Sequence, residues 1–267
     1  MLLLFEKFLA FLRRDLLIAS RYRGAFLLWP LSIVTELAGA YYLARAIGAG
    51  FRPDGFAYFP FLLVGTAIVE VIVLSMHAFV DSVRDAQLSG TLEMMMATAT
   101  RPLTVMLMSA AALLIGRLIS LVVYLAFALL LFHAPILTPH LAPLAVVFLV
   151  LSVMTLSLGL FAASLQLHFQ RGAAAIWLFS TSLWLLSGSL FPVSALPAPL
   201  RAISQMLPVT YLVNVTREVL LTKATLASLA QPLLILTAVT GLLLVVSLGV
   251  FSAVLRNARL RGTLSMY

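Results

Sequence analysis

The chain contains no cysteine, which excludes disulfide bonds, thiolate catalysis and cysteine-ligated metal sites but does not indicate a redox compartment. Charged residues are also scarce, at 10% of 267 positions, whereas hydrophobic residues make up 63%. Soluble domains are typically about one quarter charged and about half apolar. The composition therefore excludes an ordinary soluble domain and predicts a polytopic membrane protein.

Catalytic and nucleotide-binding motifs are missing as well. The sequence has no G-x-x-x-x-G-K-[ST], G-x-S-x-G, H-E-x-x-H or dinucleotide fingerprint. Its four histidines are dispersed without a carboxylate cluster, so we expect no metal site: His77, His133, His140 and His168. Both lysines, Lys7 and Lys223, lie outside any phosphate-cradling loop. The chain is not expected to be an enzyme, and any energy from ATP must come from another subunit.

Six segments are long and apolar enough to cross a membrane, because about 20 residues at 1.5 Å rise cover about 30 Å of hydrocarbon. We place them near 25–47, 57–80, 103–132, 141–166, 173–191 and 232–255. The predicted fold class is an all-α integral membrane protein, with residues 25–267 forming one six-span domain.

The basic residues indicate the orientation. The net charge is +8, but the basic residues flank apolar spans and form no single patch, so no nucleic-acid partner is expected. With both termini inside, eleven of the 17 Lys and Arg residues are cytoplasmic: Lys7, Arg13, Arg14, Arg21, Arg23, Arg84, Arg101, Arg171, Arg256, Arg259 and Arg261. Five are outside, namely Arg45, Arg52, Arg201, Arg217 and Lys223, and Arg117 lies within a span. The positive-inside rule then predicts a bacterial-type inner membrane protein with both termini cytoplasmic.

Residues 1–24 precede the first span and carry apolar side chains at helical spacing: Phe5, Phe8, Leu9, Leu12 and Leu16. Charged residues lie on or near the other face, which predicts an amphipathic helix in the inner membrane interface. The alternative is a cleaved signal peptide, since Ala38-Gly39-Ala40 has the small residues of a cleavage site. Its charged region is too long, however, and Glu36 interrupts the apolar run.

The stretch from Arg84 to Pro102 is a polar island between the second and third spans. Its apolar residues Leu88, Leu92, Met95, Met96 and Ala99 fall on one face of a short helix, which we place at 85–100. Gly90 is the expected N-cap, Glu93 complements the first turn, and Arg101-Pro102 ends the helix. The simplest alternative is an ordinary solvated helix in a loop.

Three charged residues are expected inside the membrane, where an ionised side chain costs roughly 2.5–3.5 kcal/mol. Glu70 and Arg117 lie in neighbouring spans, so we predict that they form a structural ion pair. A role in gating or substrate contact is the alternative. Glu36 is expected to be protonated or to face a cavity.

Two connections on the predicted outer side have unusual compositions. Residues 41–61 are rich in aromatic side chains, which favours an interfacial aromatic belt over a ligand-stacking surface. Residues 192–223 carry four prolines and two apolar stripes, which predicts a hairpin of two short amphipathic helices dipping into the outer leaflet. Its marker residues are Phe191, Pro192, Leu196, Pro197, Pro208 and Tyr211.

Two motifs resemble a known family. Residues 89–102 read SGTLEMMMATATRP and are similar to a G-T-L-E coupling segment. Residues 187–221 contain an S-G, then F-P-x-x-x-L-P, then L-P-x-T-Y. Both motifs, in this order and on opposite sides of six spans, resemble the membrane permease of type 2 ATP-binding cassette exporters, which move drugs, lipids, polysaccharides or nodulation factors.

The resemblance implies a mechanism with several partners. Two permeases, by default a homodimer, would receive two separate ATP-binding subunits, which hold ATP and Mg²⁺ while this chain holds no cofactor. The residues implied in docking these subunits are Asp85, Leu88, Gly90, Thr91, Leu92, Glu93, Met95, Met96 and Arg101, with a second contact at His168 and Arg171. The substrate would be hydrophobic or amphiphilic, such as a drug, a lipid or a lipid-linked glycan, and no lining residues are assigned.

Two other classes of function compete with this interpretation. A secondary transporter or channel without an ATPase partner is expected to show inverted repeats or more polar groups in the membrane, and no clear repeat is found. An intramembrane enzyme needs a paired nucleophile and base or a metal cluster, and neither is evident in the sequence.

Overall fold

The computed structural model describes residues 23–88, 90, 102–136, 140–169, 173–222 and 224–261, and all regular structure in these residues is helical. Eight α-helices follow in chain order: α1 Arg23–Ile47, α2 Tyr58–Leu88, α3 Pro102–Phe132, α4 Leu141–Phe169, α5 Ala173–Leu186, α6 Ala198–Met206, α7 Pro208–Leu221 and α8 Ala230–Arg261. Short 3-10 turns lie at Pro53–Gly55 and Val193–Ala195. The predicted all-helical class is confirmed, whereas the predicted N-terminal amphipathic helix lies almost entirely outside the described residues.

Prolines mark where several helices begin. Pro102 is the first residue of α3 and Pro208 is the first residue of α7. A proline fits this position because the first N–H of a helix has no intrahelical partner and the fixed φ of proline is already helical. Pro102, which the sequence suggested as the end of one helix, is therefore the start of the next.

Helix α2 forms the centre of the bundle. It packs against α1, α3, α4, α5 and α7, while α4 lies between α2 and α8. In the most apolar window of α2, 83% of the residues are buried, compared with 22% in α3 and in α8. Side chains such as Leu130 of α3 and Val245 of α8 are consequently exposed. The bundle thus has an apolar surface as well as an apolar core, as expected of a protein surrounded by lipid.

Four described helices are long and apolar enough to cross a membrane: Tyr58–Leu88, Leu107–Phe132, Leu141–Phe169 and Ala230–Ala258. The other two predicted spans correspond to α1 and α5. Helix α1 contains Glu36 and Arg45, and α5 has only 14 residues. At 1.5 Å per residue α5 extends about 21 Å, less than the thickness of a hydrocarbon core. The structure therefore supports a multi-pass membrane protein, with four of the six predicted spans meeting both criteria.

Two helix ends differ from the ends of the predicted spans. The fifth span was predicted to reach Phe191, but α5 ends at Leu186 because Gly188 adopts a left-handed φ of +73°. The second span was predicted to end at Val80, but α2 continues to Leu88. The polar residues after Val80 are compatible with a helix, since hydropathy shows where the apolar surface ends and not where hydrogen bonding ends.

Candidate functional site

Helices α6 and α7 form a helical hairpin that packs on the bundle. We call the end of the bundle that carries it the hairpin end. Helix α7 contacts α2, α4 and α8, so the hairpin is anchored to three long helices. The hairpin residues predicted from the sequence divide by burial: Pro192 and Leu196 are buried, Phe191 and Pro208 are half-buried, and Pro197 and Tyr211 are exposed. Tyr211 and Pro208 line an apolar groove of about 320 Å³ against the start of α8.

The carboxyl end of α5 is bound by hydroxyl groups of the hairpin. Ser204 of α6 and Thr210 of α7 both donate hydrogen bonds to the carbonyl oxygen of Leu186, the last residue of α5. The last carbonyls of a helix have no intrahelical donors, so buried helix ends need partners from elsewhere. The hairpin supplies those partners and thereby fixes its own position relative to α5.

Arg217 of α7 makes the densest set of polar contacts in the described part of the protein. Its side chain is only 2% exposed. Its Nη2 donates to the carbonyls of Gly188 at 2.8 Å, Phe61 at 3.1 Å and Ser189 at 3.2 Å, and its Nε also donates to Phe61. The guanidinium carbon lies 3.4 Å from the centre of the Phe61 ring. One side chain thus joins α2, α7 and the segment that follows α5.

The charge of Arg217 is held mainly by carbonyl dipoles. Burial lowers the pKa of Arg217 to about 9, while the nearby carboxylate of Asp54 opposes that shift. The guanidinium is therefore charged at pH 7. It lies just beyond the carboxyl end of α5, where the helix dipole favours a positive charge. The sequence counted Arg217 only among the basic residues of the outer side, and the structure adds that its side chain is buried.

The spacing of apolar residues in α7 indicates that Arg217 is buried. Arg217 follows Val213 by four residues and precedes Leu220 by three, and both of these apolar residues are buried. Positions separated by three or four residues share a helix face. The sequence interpretation used the neighbouring stripe through Leu212, Val215 and Val219, so it missed the arginine on this face.

Gly65 of α2 allows the backbone around Ser189 to approach the helix. A Cβ at Gly65 would lie 2.5 Å from Nη2 of Arg217, 2.5 Å from the carbonyl oxygen of Ser189 and 2.8 Å from its Cα. Since two of these atoms belong to the backbone, they cannot move aside independently. Only glycine fits at this position, directly beside the arginine and its carbonyl partners.

A cavity of about 520 Å³ lies beside Arg217, and we call it the hairpin cavity. Three parts of the chain form it: the turn Pro53–Gly55, the segment after α5, and helix α7. Its polar lining includes Asp54, Asn214, Arg217 and Glu218, and the aromatic residue Phe56 also lines it. Asp54 has a left-handed φ of +52°, a conformation that is rare for a residue with a side chain. The hairpin cavity therefore combines two carboxylates, an amide and a buried guanidinium.

The aromatic residues of the first connection mostly pack on one another. The ring of Tyr41 lies 5.3 Å from that of Phe59 and 5.4 Å from that of Phe132, which joins α1, α2 and α3 at the hairpin end. Tyr58 donates a hydrogen bond to the carbonyl of Leu190 at 3.1 Å. The rings are therefore part of the packing between helices in this region.

The three charged residues predicted inside the membrane lie in one cluster. The carboxyl groups of Glu36 in α1 and Glu70 in α2 are joined by a hydrogen bond, and the charge of Arg117 in α3 acts on Glu70. The sequence paired Glu70 with Arg117 alone, and the structure adds Glu36 as the direct partner of Glu70.

We expect Arg117→Met to destabilise the protein, because it removes the positive charge beside Glu70. The loss should shrink when Glu70→Gln is present as well, with a coupling of about 0.5–3 kcal/mol, the range for interacting neighbours. Thermal unfolding of the purified protein in lipid nanodiscs measures both effects. Arg256→Met, at an exposed arginine of α8, is the matched control. Additive effects of Arg117→Met and Glu70→Gln would rule out the interaction.

The predicted docking residues are only partly within the described chain. Asp85 and Leu88 are exposed in the last turn of α2, so no separate helix begins at Asp85. Gly90 has a φ of +66°, and its N–H donates to the carbonyl of Gln87. That geometry is typical of a residue ending a helix, and the helix that Gly90 was predicted to cap lies outside the described residues. The remaining predicted residues of this segment lie outside the described residues: Thr91, Leu92, Glu93, Met95, Met96 and Arg101.

The second predicted docking contact lies at the same end of the bundle. His168 is exposed in the last turn of α4, and Arg171 lies outside the described residues. Val83 near the end of α2 and Leu167 near the end of α4 belong to one buried apolar cluster. The structure therefore brings Leu88 and His168 to one end of the molecule, which we call the opposite end because the hairpin lies at the other.

Comparison with known protein families identifies the family of the chain. A family model described as ABC-2 family transporter protein matches residues 49–248, which include α2 to α7, the hairpin cavity and more than half of α8. The chain belongs to the ABC-2 transporter family. No curated protein matches this ABC-2 protein. Members of the family are membrane components of ATP-binding cassette transporters and are not the ATPase, so an ATP-binding cassette subunit is the implied partner.

Proposed function

We propose that this ABC-2 protein is the permease subunit of an exporter that moves a hydrophobic or amphiphilic substrate out of the cell. The observation that carries the proposal is the family match over residues 49–248. The proposed substrate is a drug, a lipid or a lipid-linked glycan. The distribution of Lys and Arg supports a topology of six crossings with both termini in the cytoplasm of a bacterial-type cell.

In this topology the opposite end of the bundle faces the cytoplasm and receives the ATP-binding subunit. Leu88 supports this role because its apolar side chain is 59% exposed at the end of α2. The chain continues from there into residues 91–101, which carry three consecutive methionines, Met94, Met95 and Met96. Methionine side chains are flexible and adapt to a contact that changes shape. His168 at the end of α4 supports a second, smaller contact on the same face.

Two permeases and two ATP-binding subunits form the proposed working unit, since closed two-fold assemblies are the commonest arrangement. The exposed apolar surfaces of the bundle support contacts both with lipid and with a second permease. Closure of the ATP-binding subunits on ATP and Mg²⁺ moves the helices that reach the opposite end. The hairpin then shapes the exit on the other side of the membrane.

The proposal is tested by purifying the tagged permease from its native membrane and identifying the ATPase that accompanies it. We expect a P-loop ATPase in the complex, and we expect the double variant Leu92→Ala/Glu93→Ala to lose it or to lose substrate-stimulated ATP hydrolysis. A loss of about tenfold corresponds to removing about 1.4 kcal/mol of contact energy. The measurements are the ratio of ATPase to permease and the rate of ATP hydrolysis in proteoliposomes.

The matched control is Thr98→Ala, which lies outside the apolar face of the same predicted helix. It should retain the ATPase if the apolar face of Leu88 and Leu92 forms the contact. Transport that continues after ATP is depleted would refute an ATP-driven exporter and would favour the secondary transporter or channel.

A further inference from the structure

The hairpin cavity has the chemistry of a binding site for a positively charged organic group. We propose that it binds the ammonium head group of an organic cation, held between the carboxylates of Asp54 and Glu218. The two carboxylates come from segments far apart in the sequence, the turn Pro53–Gly55 and helix α7. The fold places both on the wall of one cavity.

Both carboxylates are available to a ligand. Asp54 and Glu218 are exposed, and no hydrogen bond engages either carboxylate within the part of the chain that the structure describes. Asp54 acts on Arg217 only through its charge. A ligand with N–H donors or a positive charge therefore meets two acceptors that are not already occupied.

The buried guanidinium does not make the cavity an anion site. The hydrogen bonds of Arg217 are directed mainly at the carbonyls of Phe61, Gly188 and Ser189, and its Nη1 reaches the side-chain oxygen of Asn214 at 3.4 Å. An anion entering the cavity would displace these bonds and would also approach two carboxylates. The lining carries two negative charges and one positive charge, so a cation balances it.

Two other arginines lie close by without lining the cavity. The guanidinium of Arg201 donates to the carbonyls of Ser194 and Leu196, which directs it along the hairpin. Arg52 lines a separate depression with Tyr41 and Arg45. Among the charged groups that line the cavity, the carboxylates of Asp54 and Glu218 are therefore the ones that no described hydrogen bond engages.

Phe56 adds the feature that distinguishes an organic ammonium from a metal ion. Phe56 lines the same cavity as Asp54 and Glu218. Aromatic faces attract alkylammonium groups through the ring quadrupole and also contact their methyl or methylene groups. The cavity volume of about 520 Å³ lies within the range of small-molecule sites. A head group fits this space, while an attached alkyl chain would extend out of it.

The role of this site in transport depends on the proposed function. In an exporter with the hairpin end outside, the hairpin cavity lies at the exit and takes the head group of a substrate that leaves the bundle. The binding itself does not depend on an ATPase, so it can be measured on the permease alone.

The test is equilibrium binding of radiolabelled choline to the full-length permease in nanodiscs of uncharged lipid. Choline is water-soluble, so its partition into lipid does not obscure the measurement. We expect the double variant Asp54→Asn/Glu218→Gln to bind choline about tenfold or more weakly. Phe56→Leu should weaken binding about threefold through the lost cation–π contact. Asp81→Asn, at an exposed carboxylate near the opposite end, should bind as the wild type does.

Competition experiments distinguish an amphiphilic ligand, whose head group carries an alkyl chain, from a small soluble cation. Displacement of choline by dodecyltrimethylammonium at about tenfold lower concentration than by tetramethylammonium supports the site and an amphiphilic ligand. Equal displacement supports the site and a soluble ligand. Unchanged choline binding in the Asp54→Asn/Glu218→Gln variant, with its thermal stability retained, would overturn the proposal, as would displacement of choline by inorganic phosphate. Neither result would affect copurification of the ATPase, so this failure is distinct from a failure of the proposed function.

Discussion

Gly65→Ala should destabilise the protein by about 1–3 kcal/mol or more, the range for overpacking a filled interior. The added methyl group would lie 2.5 Å from the carbonyl oxygen of Ser189 and 2.8 Å from its Cα. Relief of this clash requires the backbone after α5 to move away from α2, which also stretches the hydrogen bonds of Arg217. The expected result is a clear fall in the thermal midpoint of the purified protein in nanodiscs.

Other helical glycines provide the controls for this prediction. Gly116 in α3 and Gly241 in α8 have no atom within 4 Å of an added Cβ. Alanine at these positions should stabilise the helix by about 0.5–1 kcal/mol. Gly159→Ala should have an intermediate effect, because the three atoms nearest to its methyl group all belong to the side chain of Phe79, the first at 2.9 Å. Equal midpoints for Gly65→Ala and Gly116→Ala would show that α2 and the segment after α5 are not in close contact.

Arg217→Met should cost about 3–5 kcal/mol, the range for removing one partner of a buried charged interaction. Methionine fills much of the space but donates no hydrogen bond, so the carbonyls of Phe61, Gly188 and Ser189 lose a donor that each of them uses. Each buried carbonyl left without a donor accounts for about 1–3 kcal/mol. Besides a lower thermal midpoint, we expect faster hydrogen exchange and proteolysis in residues 187–207, because the hairpin is no longer tied to α2.

Two further substitutions separate the charge of Arg217 from its geometry. Arg217→Lys keeps the charge but presents a single ammonium instead of a planar fork, so it should recover only part of the stability. Arg201→Met removes an exposed hairpin arginine that donates to the carbonyls of Ser194 and Leu196, and its effect should be small. If Arg217→Met unfolds at the same temperature as Arg201→Met, the buried arginine does not stabilise the hairpin end.

The long helices could be predicted from the sequence because their apolar runs exceed the thickness of a membrane. Their ends could not be predicted from hydropathy alone. Helix α2 continues to Leu88 through polar residues that are compatible with a helix, and α5 stops at Leu186 before the apolar run is complete. In the second case the left-handed φ of Gly188 decides the boundary, and glycine in a sequence permits that conformation without requiring it.

The contacts of the candidate sites were harder to predict for a physical reason. Arg217 binds backbone carbonyls, and every residue has one, so no particular side chain in the sequence indicates the partners. Glu36 was not assigned to Glu70 because a carboxyl group is expected to pair with a base, whereas here the two acids share a hydrogen bond. The prediction that Leu92 and Glu93 contact an ATPase still derives from the sequence motif, since both residues lie outside the described chain.

The contacts of Arg217 also constrain the order in which the protein is assembled during synthesis. Arg217 follows Phe61, whose carbonyl it binds, by 156 residues. At about 5–20 residues per second, a ribosome reaches Arg217 roughly 8–30 s after Phe61. During that interval α2, and later α5, leave the ribosome before the guanidinium that joins them exists. The hairpin end is therefore completed late in translation, and a chain that stops before residue 217 lacks the group that holds its earlier helices together there.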